Sequence, residues 1–205
     1  GNVTYGSGRV GRAFAFGGAN GDGVNLGNPA SLQLQDLTIE TWIKRASTSQ
    51  VATGPLDGGD FLAYGSGGYG FAMYANGSLT FGKSYVSEIR SIPGLVTDTN
   101  WHHVAVTKSG TTVVYYVDGV AYPVAAYTAV FTFTTTAAIG MLGNSLYGFW
   151  GSIDELAVYN RALAAAEIQA IYNVGSWGKC VVDTPPTITA QPASQTVIAG
   201  DNAAF

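Results

Sequence analysis

The sequence has few charged residues and almost no cysteine. Its 205 residues include only 9 Lys and Arg, 13 Asp and Glu, and a single cysteine, Cys180. One cysteine excludes an intrachain disulfide framework and a cluster of thiolate metal ligands. The net charge of −4 and the scattered basic residues argue against a nucleic-acid partner, because binding to a phosphate backbone requires a basic patch.

Long apolar runs are missing as well. No segment approaches the roughly 20 apolar residues of a membrane-spanning helix. Gly1 is followed by neither the basic segment nor the apolar core of a signal peptide, so we expect a mature secreted product or a cut fragment. The chain is nonetheless 47% hydrophobic and contains 28 glycines. Low charge with abundant Gly, Thr and Tyr is typical of bacterial β-proteins that are extracellular, either secreted or on the cell surface.

Alternating apolar and polar residues predict an all-β protein. Asn76-Gly77 and Asp118-Gly119 favour tight hairpin turns between such segments. Many short strands joined by tight turns predict a two-sheet antiparallel jelly-roll sandwich. One short C-terminal helix is expected near Ala164–Val174, where apolar residues recur at helical spacing and Gly175 provides a stop. The predicted strands are Val10–Phe16, Leu37–Ile43, Tyr69–Tyr74, Trp101–Thr107, Thr112–Val117 and Ile153–Val158.

The composition changes after Cys180. Residues 181–186 contain consecutive prolines, which favour an extended linker. Residues 187–205 are similar to the first strand and bend of a bacterial immunoglobulin-like domain, which needs about 80 to 100 residues to fold. We therefore predict a domain over residues 1–180, a linker over 181–186 and truncated first strands of an immunoglobulin-like domain over 187–205.

Three segments match the motifs of a known family. They are Leu37–Ile43 (LTIETWI), Trp101–Thr107 (WHHVAVT) with the hairpin at Tyr116–Gly119, and Gly151–Leu163 (GSIDELAVYNRAL). In order and spacing over residues 5–175, the chain resembles the laminin-G-like domains of the concanavalin A-like lectin/glucanase superfamily. The resemblance implies a two-sheet jelly roll, a carbohydrate-binding or adhesion role, and often one bound calcium ion.

The resemblance also implies a set of calcium ligands. Asp22 and Asp154 would each supply a carboxylate oxygen, and main-chain carbonyls near Gly17 and Asn20 would complete the shell. Calcium prefers such oxygen ligands from flexible loops. The alternative is that Asp22 is a turn residue and Asp154 a hydrogen-bonding residue at a strand end.

Aromatic residues in glycine-rich loops are the candidate ligand-binding residues. Sugars bind flat apolar ring faces together with adjacent hydrogen-bonding groups, so exposed loop rings are suitable contacts. Packing at the edge of the sandwich is the alternative for each of them. The candidates are Tyr64, Tyr69, Tyr85, Tyr147, Phe149 and Trp150, of which the last three form the best cluster.

Catalysis is not expected. Glycanases of this superfamily carry carboxylates at Glu-x-Asp-x-x-Glu spacing, and retaining hydrolysis needs two carboxylates about 5 Å apart. The sequence has no such spacing, and adjacent residues such as Asp154 and Glu155 face opposite sides of a strand.

We predict a calcium-stabilised, non-catalytic carbohydrate-binding or adhesion module of a bacterial multidomain protein, with a glycan or polysaccharide as partner. The alternative is a structural or assembly subunit of a filament or stalk, with residues 187–205 added as a strand to a neighbouring subunit.

Overall fold

The computed structural model of the chain describes residues 3–54 and 57–179. Within them the chain forms thirteen strands and one α-helix, with 3-10 turns at Ala30–Leu32 and Gly175–Trp177. The helix α1 is Ala165–Val174. The strands are β1 Thr4–Ser7, β2 Arg12–Gly17, β3 Val24–Gly27, β4 Leu37–Arg45, β5 Gly58–Tyr64, β6 Tyr69–Tyr74, β7 Leu79–Lys83, β8 Ser87–Arg90, β9 Trp101–Ser109, β10 Thr112–Val117, β11 Val120–Pro123, β12 Ala137–Ile139 and β13 Trp150–Tyr159.

Two antiparallel sheets form a sandwich. The seven-stranded sheet has the order β1-β2-β13-β4-β9-β10-β11, and the six-stranded sheet has the order β3-β12-β5-β6-β7-β8. Strand β13, near the end of the described chain, therefore pairs with β2 and β4 rather than with its neighbours in sequence. The predicted all-β jelly roll with one short C-terminal helix is confirmed.

Aromatic and branched side chains fill the space between the sheets. Phe71 on β6 pairs with Phe81 on β7, and both side chains are fully buried. The Phe71 ring stacks on Tyr115 of the seven-stranded sheet, with 6.3 Å between ring centroids. Because side chains alternate along a strand, Gly70 and Ala72 face the opposite way. They lie on the outer face of the six-stranded sheet.

Helix α1 and the residues after it are tied to the seven-stranded sheet. Ala164 has no side-chain acceptor for capping, but its N–H donates to the Glu167 carboxylate at 2.8 Å. Beyond the helix, Lys179 Nζ lies 2.6 Å from Oε1 of Glu40, which is fully buried on β4. The other Glu40 oxygen lies 3.1 Å from Nε2 of buried His103. This ion pair anchors the end of the described chain.

The structure also bears on the expectation about membrane-spanning helices, but it does not describe the end of the chain. None of the helices in residues 3–54 and 57–179 is long and apolar enough to cross a membrane. Cys180, the linker over 181–186 and the segment over 187–205 lie outside the described residues. The domain division and the addition of a strand to a neighbouring subunit therefore stay predictions.

Candidate ligand-binding pocket

A pocket of about 310 Å³ lies on the outer face of the six-stranded sheet. This volume is at the lower end of the range for sites that hold small molecules. Residues of β5 to β8 form its floor and walls, and two loops around Tyr85 and Tyr147 form its rim. The lining residues are Gly58, Asp60, Gly70, Ala72, Tyr74, Thr80, Gly82, Lys83, Ser84, Tyr85, Val86, Ser87, Glu88, Leu142 and Tyr147.

The floor of the pocket is made of small residues. Gly70 and Gly82 pair directly across β6 and β7. At Gly82 a Cβ atom would lie 2.3 Å from the Ser87 carbonyl oxygen, so the missing side chain there lets β8 pack closely. At Gly58 a Cβ atom would make only ordinary contacts, 3.5 Å from the ring of Tyr147 and 3.7 Å from that of Tyr74, so its absence leaves room between these two rings.

Two tyrosines stand at the rim. Tyr85 is 55% exposed, and Tyr147 is partly exposed. Both have left-handed backbones, with φ of 63° and 53°, which cost a residue other than glycine about 1 kcal/mol or more. The Asn144 side chain donates to the Tyr85 hydroxyl at 2.6 Å, which joins the two loops across the pocket mouth. Strained backbone that presents accessible rings is common at ligand sites.

Glu88 is fixed on one wall by a hydrogen-bond network. Its Oε2 accepts hydrogen bonds from Thr80 Oγ1 at 2.9 Å and from the Tyr74 hydroxyl at 3.0 Å. Its Oε1 accepts from Arg90 Nε at 2.6 Å. The Arg90 guanidinium also stacks over the Tyr74 ring, 3.8 Å from the centroid. Burial and the Glu88 charge raise the pKa of Tyr74 to about 12, so its hydroxyl remains a donor at neutral pH.

Asp60 is the most deeply buried acidic group of the pocket. It lies on β5 where a bulge shifts the register between Asp60 and Leu62, and bulges commonly redirect side chains next to binding sites. Its main-chain N–H donates to the Tyr147 carbonyl at 3.0 Å, but its carboxyl makes no hydrogen bond within the described residues. Burial, with a smaller contribution from Glu88, raises the pKa of Asp60 to about 8. At pH 7 its carboxyl is therefore mainly neutral.

Three of the loop aromatics proposed from sequence are buried. Tyr64, Tyr69 and Phe149 are each 0% exposed, so the expectation that they are accessible is wrong. Tyr64 and Tyr69 pack against each other with ring centroids 5.3 Å apart, and Phe149 packs on Phe61 at 5.2 Å. Tyr69 shares the inner face of β6 with Phe71. The glycines beside these rings mark turns and close packing rather than exposure.

The other three loop aromatics keep accessible surface but do not form one site. Tyr85 and Tyr147 line the pocket, although they lie far apart in sequence. Trp150 begins β13 opposite Gly17 and is not a lining residue. The Tyr147–Trp150 segment is therefore not a single exposed cluster, and Tyr147 is its one member in the pocket.

The acidic lining residues are not foreseen from the sequence. Neither β5 nor β8 is among the predicted strands, so nothing predicts that Asp60 and Glu88 share one face. For Asp60, however, the sequence contains a feature that could have identified it. Asp60 is the one charged residue in the otherwise uncharged strand Gly58–Tyr64, an arrangement that often marks a functional group.

The two predicted calcium carboxylates are not brought together. The Asp154 oxygens accept the N–H groups of Val10 at 2.8 Å and Glu155 at 2.9 Å, which fits the alternative of a hydrogen-bonding strand residue. The Asp22 carboxylate instead lies beside Gly17, 2.7 Å from the position that a Cβ atom on Gly17 would occupy. Gly17 pairs with the first residue of β13, whereas Asp154 is the fifth residue of that strand. The backbone of Asp154 therefore lies about 13 Å along β13 from the point where Asp22 approaches it.

The loop around Asp22 fits a calcium ion only in part. Its carboxylate occupies space that a side chain at Gly17 would fill, and Asn20 offers an amide oxygen in the same loop. The described residues contain no group of three or more His, Cys, Asp or Glu side chains that could hold a metal. Calcium binding through Asp22, Asn20 and Gly17 stays a prediction.

Comparison with protein families identifies the superfamily. Residues 16–169 match a laminin G family model described as the concanavalin A-like lectin/glucanases superfamily. Because the match spans most of the sequence, the chain belongs to this superfamily. A search of curated proteins gave no match.

Three solved structures share the fold. Domain 4 of an extracellular arabinanase from Geobacillus stearothermophilus, in complex with arabinotriose, is 22% identical with a TM-score of 0.62, over 83% of this chain and 81% of that one. The CBM40 of the Ruminococcus gnavus IT-sialidase, bound to α2,3-sialyllactose, is 16% identical with a TM-score of 0.60, over 75% and 94%. The binding domain of botulinum neurotoxin DC, in complex with SialylT, is 15% identical with a TM-score of 0.60, over 84% of this chain but 44% of that one. These identities establish similarity of fold alone.

The raised pKa of Asp60 predicts a pH dependence of stability. Between its ordinary pKa of 3.8 and its folded pKa of about 8, the folded chain holds a proton that the unfolded chain releases. Stability therefore falls as pH rises through this window, and Asp60→Asn removes the effect. We expect the free energy of unfolding of the wild type, relative to Asp60→Asn, to fall by about 5 kcal/mol from pH 4 to pH 8.

Urea unfolding at several pH values measures this difference. Asp57→Asn provides the control, since Asp57 is exposed and does not line the pocket. Parallel pH profiles for the wild type and Asp60→Asn would show that the Asp60 carboxyl is ionised in the folded protein.

Proposed function

We propose that this domain is a non-catalytic carbohydrate-binding module of an extracellular protein, and that the pocket on the six-stranded sheet holds the saccharide. The observation that carries the proposal is the juxtaposition of two rim tyrosines, Tyr85 and Tyr147, with the carboxyl groups of Asp60 and Glu88 over a floor of small residues. Apolar sugar faces stack on aromatic rings, and sugar hydroxyls bind polar groups. The saccharides named for the arabinanase domain and the CBM40 support a glycan as the ligand class.

The placement of the pocket carboxyl groups favours binding over retaining hydrolysis. Retaining hydrolysis needs one carboxylate that attacks the sugar and one acid that protonates the leaving group, with the two groups about 5 Å apart. Asp60 lies on β5 and Glu88 on β8, and β6 and β7 lie between them, which separates the two backbones by about 14 Å.

The proposed ligand contacts predict the effect of removing the rim rings. We expect Tyr85→Ala and Tyr147→Ala to weaken glycan binding at least tenfold each, because each loses a stacking face in the pocket. Binding is measured by calorimetry with the strongest member of a panel containing arabinotriose, xylotriose, cellotriose, lactose, 3′-sialyllactose and trigalacturonate.

Two controls separate binding from folding. Tyr5→Ala and Trp150→Ala remove accessible rings outside the pocket and should leave affinity unchanged. Tyr85→Gly relieves the positive φ, so it should lose binding without a lower melting temperature. A blank panel, or affinity that depends on Trp150 but not on Tyr85, would contradict this site.

We further propose that the Asp22 loop binds a structural calcium ion. The ion would link the Asp22 carboxylate to the loop oxygens near Asn20 and Gly17, as calcium does in flexible oxygen-rich loops. Excess calcium should then raise the melting temperature by several degrees relative to EDTA, through preferential binding to the folded state.

Two matched variants test the ligand assignment. Asp22→Asn should abolish the calcium-dependent shift, whereas Asp154→Asn should retain it, because Asp154 lies elsewhere on β13. Calorimetric titration with calcium that shows no heat and no shift in melting temperature would refute a calcium site in this loop.

A further inference from the structure

The Asp60 carboxyl has no hydrogen-bond partner among the described residues. Only 7% of the residue is exposed, and the carboxyl makes no hydrogen bond within residues 3–54 and 57–179. Its oxygens are not among the fully buried atoms that lack a partner, so they keep contact with the pocket, where water or a ligand can bind them.

The cations near the pocket are already engaged. Lys83 contributes to the lining, but its Nζ donates to the carbonyl of Val130 at 2.8 Å, and Val130 is not a lining residue. Arg90 binds the Glu88 carboxylate and stacks on Tyr74. Among the described residues around the pocket, the Arg90 charge is therefore balanced by Glu88, and Lys83 keeps its charge with its ammonium directed to the Val130 carbonyl.

The groups facing Asp60 determine which ligand charge fits. Glu88 from β8 acts on Asp60 as a like charge, and Tyr147 from the rim loop contributes a hydroxyl beside it. An acidic sugar would bring a second negative charge beside Glu88. Within the part of the chain that the structure describes, Lys83, held at the Val130 carbonyl, is the one lining cation that could offset it. An uncharged sugar would supply hydroxyl groups that both donate to and accept from a carboxyl.

We propose that the pocket selects an uncharged saccharide whose hydroxyls bind the Asp60 carboxyl, and that it rejects acidic saccharides. This inference rests on the proposed carbohydrate-binding function. It separates this pocket from a sialic-acid site, since sialyllactose carries a carboxylate. Asp60 is expected to act as a neutral hydrogen-bonding group rather than as a charge.

Paired substitutions at Asp60 distinguish these roles. Asp60→Asn keeps a neutral group that donates and accepts, so affinity for the neutral oligosaccharide that binds best should change less than about threefold. Asp60→Leu keeps a branched side chain with the same number of heavy atoms but removes hydrogen bonding, so affinity should fall at least tenfold. Asp57→Leu controls for the loss of an acidic residue outside the pocket.

The charge preference is tested with the full chain by calorimetry, using arabinotriose, xylotriose, cellotriose and lactose against 3′-sialyllactose and trigalacturonate. We expect at least one neutral member to bind and both acidic members to bind at least tenfold more weakly.

Tight binding of an acidic member that is lost in Tyr85→Ala would overturn the charge selection while the pocket stays a glycan site. Equal affinity of Asp60→Leu and the wild type would overturn the role of Asp60. Binding that is indifferent to Tyr85→Ala, or a blank panel, would overturn the proposed function and this inference together.

Discussion

The alternation of side chains along the six-stranded sheet is the constraint on which the pocket depends. Phe71 and Phe81 must face inward, because the sandwich has no other way to fill the space opposite Tyr115. Their neighbours Gly70 and Gly82 then face outward and form part of the pocket floor. Core and binding surface are thus two faces of the same strands.

The loops above this floor carry features that a structural role does not require. Tyr85 and Tyr147 hold positive φ values, and the Asp60 carboxyl makes no hydrogen bond within residues 3–54 and 57–179. Each positive φ value costs about 1 kcal/mol or more, and the aromatic core between the sheets offsets that cost. Unfavourable features concentrated around one pocket, and tolerated by a stable scaffold, are typical of sites shaped for a ligand.

Local patterns in the sequence predict much of the scaffold and little of the pocket. Strand β6 and the turn at Asn76-Gly77 depend on alternation and turn chemistry within a few residues, and both form as predicted. The burial of Tyr69 and Phe149 depends instead on which face of a sheet each ring occupies, and glycine-rich surroundings do not reveal it. Asp60 lies in the pocket because of strand pairing and a bulge, which only the folded sheet defines.

The central claim is that the saccharide lies on the outer face of the six-stranded sheet, over its glycines. Titration of the ¹⁵N-labelled protein with the best-binding neutral oligosaccharide, followed by amide chemical shifts, tests this location most directly. We expect the largest shifts at Asp60, Gly70, Gly82, Tyr85 and Tyr147. Largest shifts on the opposite side of the sandwich, around Trp42 and the helix residue Tyr172 stacked on it, would contradict it.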